Sequence, residues 1–192
     1  MRIIGLTGSM AMGKSTAARM FQELAVPVFD SDAAVHEFYR QDGPKVLAPH
    51  FPDAVVDGIV NRQVLSKYVV ENSDNLKLLE NIVHPVIGKK RSNFLSKQKE
   101  TGSRRVVVDI PLLFEIGWET SVDIILVVTA SKTTQKTRAL LRTDMTVEKF
   151  EKIIANQIPD SEKRARAHYV ISSEFGFNYT RSQIHALLHA ID

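Results

Sequence analysis

Cysteine is absent from the 192-residue chain, which excludes disulfides, a thiolate nucleophile and a four-cysteine zinc site. That absence accords with a reducing compartment. Long apolar runs are missing too. The most continuous one, Ile124-Ile125-Leu126-Val127-Val128, has the length of a strand and not of a membrane span. A secretory leader needs an unbroken apolar segment, and Gly5, Thr7, Gly8, Ser9 and Lys14 interrupt the amino-terminal run. The expectation is a soluble, cytoplasmic protein with no membrane partner. Charge of one sign is not concentrated either. The formal net charge is only +3, and Lys89-Lys90-Arg91 and Arg104-Arg105 read as solvated helix ends and turns. Without basic runs interleaved with aromatics, no nucleic-acid partner is expected. Repeats and low-complexity segments are lacking. What remains is an ordinary globular composition, 44% hydrophobic and 24% charged, in a chain long enough for one core and an inserted subdomain.

Against this background, residues Gly8 to Ser15 spell G-x-x-x-x-G-K-S. Arg2–Thr7 before them reads as a short buried strand, and Lys14 to Leu24 after them as a helix. That context makes the pattern a phosphate-binding loop. Backbone N–H groups across Gly8, Ala11, Met12, Gly13, Lys14, Ser15 and Thr16, with the positive end of the helix dipole, suit a nucleoside triphosphate. Lys14 adds a charge for the β- and γ-phosphates, and the Ser15 hydroxyl is a ligand for Mg²⁺.

Further strands are expected at Val26–Phe29, Arg105–Asp109, Asp123–Val128 and Tyr169–Ser172. Val106-Val107-Val108 and Ile124–Val128 do not alternate with polar residues, as befits strands covered on both faces. Helical patterns lie between the strands. The fold class is therefore α/β: a three-layer α/β/α sandwich around a five-stranded parallel sheet. Residues 1–192 form one domain with two helical excursions, at 33–102 and 131–157. In the first, Asn61–Glu71 and Ser73–Val83 read as helices, and a further helix starts at Pro85, leaving His84 at the junction. In the second, Lys132–Arg142 reads as a helix with Arg138 and Arg142 on one face, and Thr146 caps the next one. Trp118, the only tryptophan, is expected to anchor packing.

In a parallel sheet, ligands gather beyond the carboxyl ends of the strands. Asp30 and Asp32 follow the second strand, and Asp109 ends the third before Ile110-Pro111. Phosphoryl transfer to an alcohol needs a hydroxyl-orienting base, a metal partner and cations for the developing charge. Asp32 suits the base and Asp109 a water-mediated Mg²⁺ contact. Asp30 is either functional or the cap of the following helix. Arg138 and Arg142 are candidates to neutralise the phosphates, the alternative being a solvated helix face. His84 either contacts the acceptor or satisfies a turn. Leu112, Leu113 and Phe114 either line an acceptor pocket or fill core. The guanine-reading N-K-x-D and the D-x-x-G of a switch GTPase do not occur in place, nor does the T-R-x-P of a nucleoside monophosphate kinase.

Along essentially its whole length the chain resembles the dephospho-coenzyme A kinases. The likeness rests on the phosphate loop, Val28-Phe29-Asp30-Ser31-Asp32, Leu79 through His84-Pro85, and Asp109-Ile110-Pro111-Leu112-Leu113-Phe114-Glu115. It continues through Gln135 to Arg142, Gln157, and Lys163-Arg164-Ala165-Arg166-Ala167. The resemblance implies ATP-dependent phosphorylation of the ribose 3′-hydroxyl of dephospho-coenzyme A, with Mg²⁺; a monomer or weak homo-oligomer is expected. It implies Asp32 as the catalytic aspartate and His84 and Leu112–Phe114 as acceptor-side residues, with Asp109 near the acceptor as well. It implies Arg138 and Arg142 as lid arginines within 131–157, with 33–102 as the acceptor-binding subdomain. Two departures stand out. Ser9, Met10, Ala11 and Met12 fill a loop that usually reads G-G-I-G-S-G-K, and Ser173 stands where the last-strand pattern A-D-x-V-I-x-N ends in asparagine.

Overall fold

Non-alternating apolar runs become central strands here. The computed structural model describes residues 1–191, and among them the strands are β1 (Arg2–Thr7), β2 (Val28–Asp30), β3 (Val55–Val56), β4 (Ile59–Val60), β5 (Arg105–Asp109), β6 (Ile124–Thr129) and β7 (Tyr169–Ser172). The helices are α1 (Lys14–Glu23), α2 (Ser31–Arg40), α3 (Gly43–Leu47), α4 (Arg62–Glu71), α5 (Ser73–Glu100), α6 (Lys132–Leu140), α7 (Val147–Ala155), α8 (Asp160–Arg166) and α9 (Phe177–Ala190). The chain divides into two units: Met1–Phe29 with Gln98–Asp192, and Asp30–Lys97. No helix among the described residues is long and apolar enough to cross a membrane.

The first unit is built on a five-stranded sheet of order β2-β5-β1-β6-β7. β1 lies between β5 and β6, parallel to both, with Leu6 opposite Asp109 on one side and Leu126 on the other. Chain connections leave β1 and β6 in opposite directions, which makes their carboxyl ends a topological switch point, the crevice where ligands bind in such sheets. Ile4, Leu6, Val107, Leu126 and Val128 on one sheet face pack with Ala17 and Phe21 of α1 and Ile184 and Leu187 of α9, all within one buried cluster. A fully buried side chain of this size stabilises the fold by roughly 1.5–3 kcal/mol. The expected five strands all form, with ends shifted by a residue or two. Thr146 does cap α7, its hydroxyl accepting from the Lys149 N–H.

The second unit is helical, with one small exception that the helical periodicity of this stretch conceals. β3 and β4 form an antiparallel hairpin across Asp57-Gly58, both at positive φ (50° and 72°). Asp-Gly is the dipeptide that a two-residue hairpin turn of this kind prefers, so the signal was in the sequence. Phe51 and Leu47 are fully buried in this unit, and the Phe51 ring meets Tyr68 edge-on at 5.8 Å between centroids.

The expected break at His84 does not occur. α5 runs unbroken from Ser73 to Glu100 with Pro85 inside it. The bias of a residue before proline against helical geometry is a local preference. Here it is overridden by long helical flanks and by burial of Val83 and Ile87 on either side of the ring. Pro85 itself is exposed and leaves the Asn81 carbonyl without its helical donor. Pro85→Ala is therefore expected to stabilise the fold by about 1–3 kcal/mol, read as a raised thermal midpoint; a lowered midpoint would show that the ring makes packing contacts of greater value than the hydrogen bond.

Candidate active site

β1 ends at Thr7 and α1 begins at Lys14, so Gly8–Gly13 must reverse direction over the switch point. Two glycines permit the close approaches this needs. A Cβ on Gly8 would lie 2.6 Å from the Val128 carbonyl oxygen of β6. Gly13 is the N-cap of α1 in the left-handed conformation (φ 91°, ψ 11°), and a Cβ there would lie 2.8 Å from Ser173 Oγ. Ala11 takes a left-handed φ of 61° with a methyl group in place. Such a conformation costs about 1–2 kcal/mol for a residue with a Cβ, offset by packing of that methyl with Ala139 and Phe150.

The outward polar groups of the loop are tied to the surrounding elements. Gln157 Oε1 accepts from the Met10 N–H (3.1 Å), and Gln135 Nε2 donates to the Met10 carbonyl (2.8 Å). Ser173 Oγ donates to the Met12 carbonyl (2.8 Å). The backbone N–H groups of Lys14 and Ser15 have no protein acceptor among the described residues. The loop thus faces its concavity with free donors at a positive helix end, an anion site. Gln135 and Gln157 belong to the segments carrying the resemblance, but nothing in their spacing indicated that both close on one peptide unit.

Lys14 Nζ is paired with Asp109 Oδ1. Asp109 is only 3% exposed, and the β1–β5 register places it opposite Leu6, beside the start of the loop. Lys14 is therefore held at the loop mouth by a carboxylate. Arg138 of α6 donates from Nη1 to Ser173 Oγ (2.7 Å) and from Nη2 to the Ser173 carbonyl (2.9 Å), which docks its guanidinium beside Gly13. Arg142 behaves differently. α6 ends at Leu140, Asp144 turns the chain at φ 60°, and Arg142 is exposed beyond the helix. The expected helix over Lys132–Arg142 stops two residues short, so Arg142 lies beyond it and not on a helical face with Arg138. A cavity of about 160 Å³ beside the loop is lined by Gly13, Thr16, Arg138, Ser173, Phe177 and Thr180.

The remaining sequence candidates sort by burial. Leu113 and Phe114 are buried, at 0% and 4% exposure, and fill core, whereas Leu112 is 40% exposed; only Leu112 is open to a ligand in this conformation. Trp118 is half-buried, and its backbone N–H donates to the Leu113 carbonyl. Glu115, at the end of the same segment, forms an ion pair with the fully buried Lys163 at 2.7 Å, which ties the loop after β5 to α8. His84 lies exposed on α5.

In the second unit, Asp30 and Asp32 divide two tasks. Asp30 Oδ1 accepts from the Ala33 N–H at 2.9 Å and caps α2. Asp32, in the first turn of α2, is exposed and lines a cavity of about 390 Å³ with His36, Tyr39, Arg62, Ser66 and Leu79 among its walls. Burial holds the Tyr39 hydroxyl above its ordinary pKa against the opposing charge of Arg62. This cavity was missed from sequence because its walls come from three helices with no shared motif. Among the described residues no cluster of three or more His, Asp or Glu side chains is placed to hold a metal ion.

A glycine-rich loop with inward donors, set at the switch point of a parallel sheet, defines a phosphate-loop nucleotide-binding protein of the α/β class. The family model described as dephospho-CoA kinase matches residues 2–178. A Rhodopseudomonas palustris protein named dephospho-CoA kinase is 46% identical over 99% of this chain and 96% of its own. A Thermus thermophilus crystal structure superposes with a TM-score of 0.89 at 32% identity, covering 100% of this chain and 98% of that one. A Campylobacter jejuni dephospho-CoA kinase, at 23% identity and a TM-score of 0.72 over 98% and 96% of the two chains, shares the fold. The chain belongs to the dephospho-CoA kinase family.

Two outcomes follow from the loop and its brace. Gly13→Ala is expected to destabilise the fold by at least about 1–2 kcal/mol and to abolish nucleotide binding, checked by denaturant unfolding and by ATP titration. Glu174 accepts from the Ser131 N–H (2.7 Å) and the Thr134 hydroxyl (2.7 Å). The Ser131 N–H, first among these, holds its carboxyl below the ordinary value of 4.5. A depressed folded pKa stabilises above the unfolded value and is lost as pH falls through the folded one. Glu174→Gln should therefore be less stable than wild type at neutral pH, with the gap closing below about pH 4.

Proposed function

We propose that this chain transfers the γ-phosphoryl group of ATP to the ribose 3′-hydroxyl of dephospho-coenzyme A, giving ADP and coenzyme A, the last step of coenzyme A synthesis. The observation that carries this reading is the braced phosphate loop with Lys14 and Arg138 at its mouth. The family's activity and the free Asp32 carboxylate point the same way.

Lys14 exchanges its Asp109 partner for the β- and γ-phosphates, and the loop N–H groups, with those of Ser15 and Thr16, hold the phosphate chain. Arg138, already beside Gly13, neutralises charge developing on the transferred group; Arg142 joins it when segment 131–157 closes as a lid. Such cations contribute on the order of 10³–10⁵ in rate in comparable sites. The acceptor is held by the helical unit, with His84 among its residues. Asp32 takes the proton of the 3′-hydroxyl as its oxygen attacks the γ-phosphorus, and the bond to the β–γ bridging oxygen breaks to release ADP. Closure excludes water, which otherwise competes as acceptor.

The residues present fit Mg²⁺. Ser15 Oγ is an exposed hydroxyl without a protein partner among the described residues, and Asp109 offers a carboxylate; both are hard oxygen donors. Two such ligands would hold a small hard cation that keeps part of its water shell. When bound, Mg²⁺ withdraws charge from the phosphate oxygens. The cavity of about 160 Å³ lined by Thr16 and Phe177 is the place for the nucleotide base. The reading locates the enzyme in the cytoplasm, as a monomer or weak homo-oligomer.

The test is ADP release from MgATP with and without dephospho-coenzyme A, with product mass. Acceptor-dependent release and a product heavier by one phosphate are expected; acceptor-independent release would overturn the reading in favour of an ATPase. Asp32→Asn and Lys14→Ala should each remain folded and lose at least about a hundredfold in turnover, and near-normal turnover in either would remove that residue from its role.

A further inference from the structure

The cavity of the helical unit holds more cationic and donor capacity than a hydroxyl acceptor alone requires. Arg62, the first residue of α4, contributes a guanidinium to its wall. Among the described residues Arg62 has no carboxylate within ion-pair distance. Across the same cavity stand Tyr39, half-buried and kept protonated, and the exposed side chains of His36 and Ser66. These are four donors around one space, with Leu65, Val69 and Leu79 as its apolar wall and Asp32 as its only carboxylate. At about 390 Å³ the cavity falls in the size range of small-molecule sites. An unpaired guanidinium in such a setting is a receptor for a phosphate-type anion, because its planar fork matches two oxygens at once.

We infer that Arg62, with Tyr39 and Ser66, is the subsite for the diphosphate of the acceptor and so selects acceptors that carry one. The inference rests on the acceptor assignment above. Dephospho-coenzyme A carries its negative charge only in the diphosphate that joins the adenosine 5′-oxygen to the pantetheine arm. The hydroxyl to be phosphorylated lies on the same ribose. A base and a cation on one cavity therefore correspond to two groups on one sugar: Asp32 orients the 3′-hydroxyl while Arg62 fixes the 5′ substituent. The amino-terminal end of α4 adds its partial positive charge on the same side. Because the diphosphate is present in substrate and transition state alike, its loss acts on acceptor affinity more than on the chemical step.

Steady-state kinetics of Arg62→Ala and Arg62→Lys test this, with each variant first shown to be folded by circular dichroism. Arg62→Ala should raise KM for dephospho-coenzyme A by about tenfold to a hundredfold, with KM for ATP within about twofold. Arg62→Lys should recover part of the loss, since it restores charge without the fork. Adenosine, which has the ribose hydroxyls but no diphosphate, is the control acceptor at high concentration. Its weak phosphorylation should be insensitive to Arg62→Ala. An unchanged KM for dephospho-coenzyme A, or an equal loss with both acceptors, overturns the inference. If Arg62→Ala does not fold, Arg62→Gln carries the same comparison. A wild-type protein with no acceptor-dependent ADP release would instead sink the function reading, so the two failures are distinguishable.

Discussion

A phosphate loop can turn its N–H groups inward only if its carbonyls are turned outward and paired. In this chain that requirement is met at the Ser173 hydroxyl, which donates to the Met12 carbonyl and accepts from Arg138. Gln135 does the same for the Met10 carbonyl. A polar group left buried and unpaired costs roughly 1–3 kcal/mol, so these braces decide whether the inward-facing conformation is the stable one. The positive φ values at Ala11 and Gly13 and the close approach of Gly8 to Val128 follow from the same geometry. The donors are in place before any anion arrives, so little reorganisation is needed when charge develops.

The second constraint is electrostatic. Lys14 faces a concavity designed for anions, and without one its charge is matched by Asp109. Removing either partner would leave the other charge without its counter-ion, a cost in stability that an anion at the loop or water must then offset. The β1–β5 register favours the pairing, since it sets the end of β5 next to the start of the loop. Glu115 and Lys163 repeat the logic one segment later. The stretch from Asp109 to Glu115 is thus anchored by a carboxylate at each end, with Leu113 and Phe114 buried between them.

The helical unit solves a different problem. Asp30 satisfies the first turn of α2 as a cap, which leaves Asp32 without a structural duty two residues later. Asn61 caps α4 in the same way, accepting from the Gln63 and Val64 N–H groups. Both helices therefore start cleanly at the cavity that Asp32 and Arg62 line. An exposed carboxylate and an unpaired guanidinium in one concavity contribute little to stability, and their value is to a ligand.

Much of this was written locally. The phosphate loop, the five strands, the cap at Thr146 and the strand-end position of Asp109 depend on residues within a few positions of one another, and the sequence by itself determined them; it left Asp30 open between a functional group and a cap. Local rules misled where packing overrode a preference, as at Pro85 inside α5, or where a helix ended early, as before Arg142. The Asp57-Gly58 turn was legible but was masked by the helical pattern around it. Only the tertiary structure decided which distant groups meet. The Ser173 hydroxyl and the Met12 carbonyl are 161 residues apart in the chain, and Gln157 and the Met10 N–H are 147 apart. Hydrogen bonds and cavities of that kind come from strand order and helix packing, which set distances between side chains that no spacing along the chain encodes.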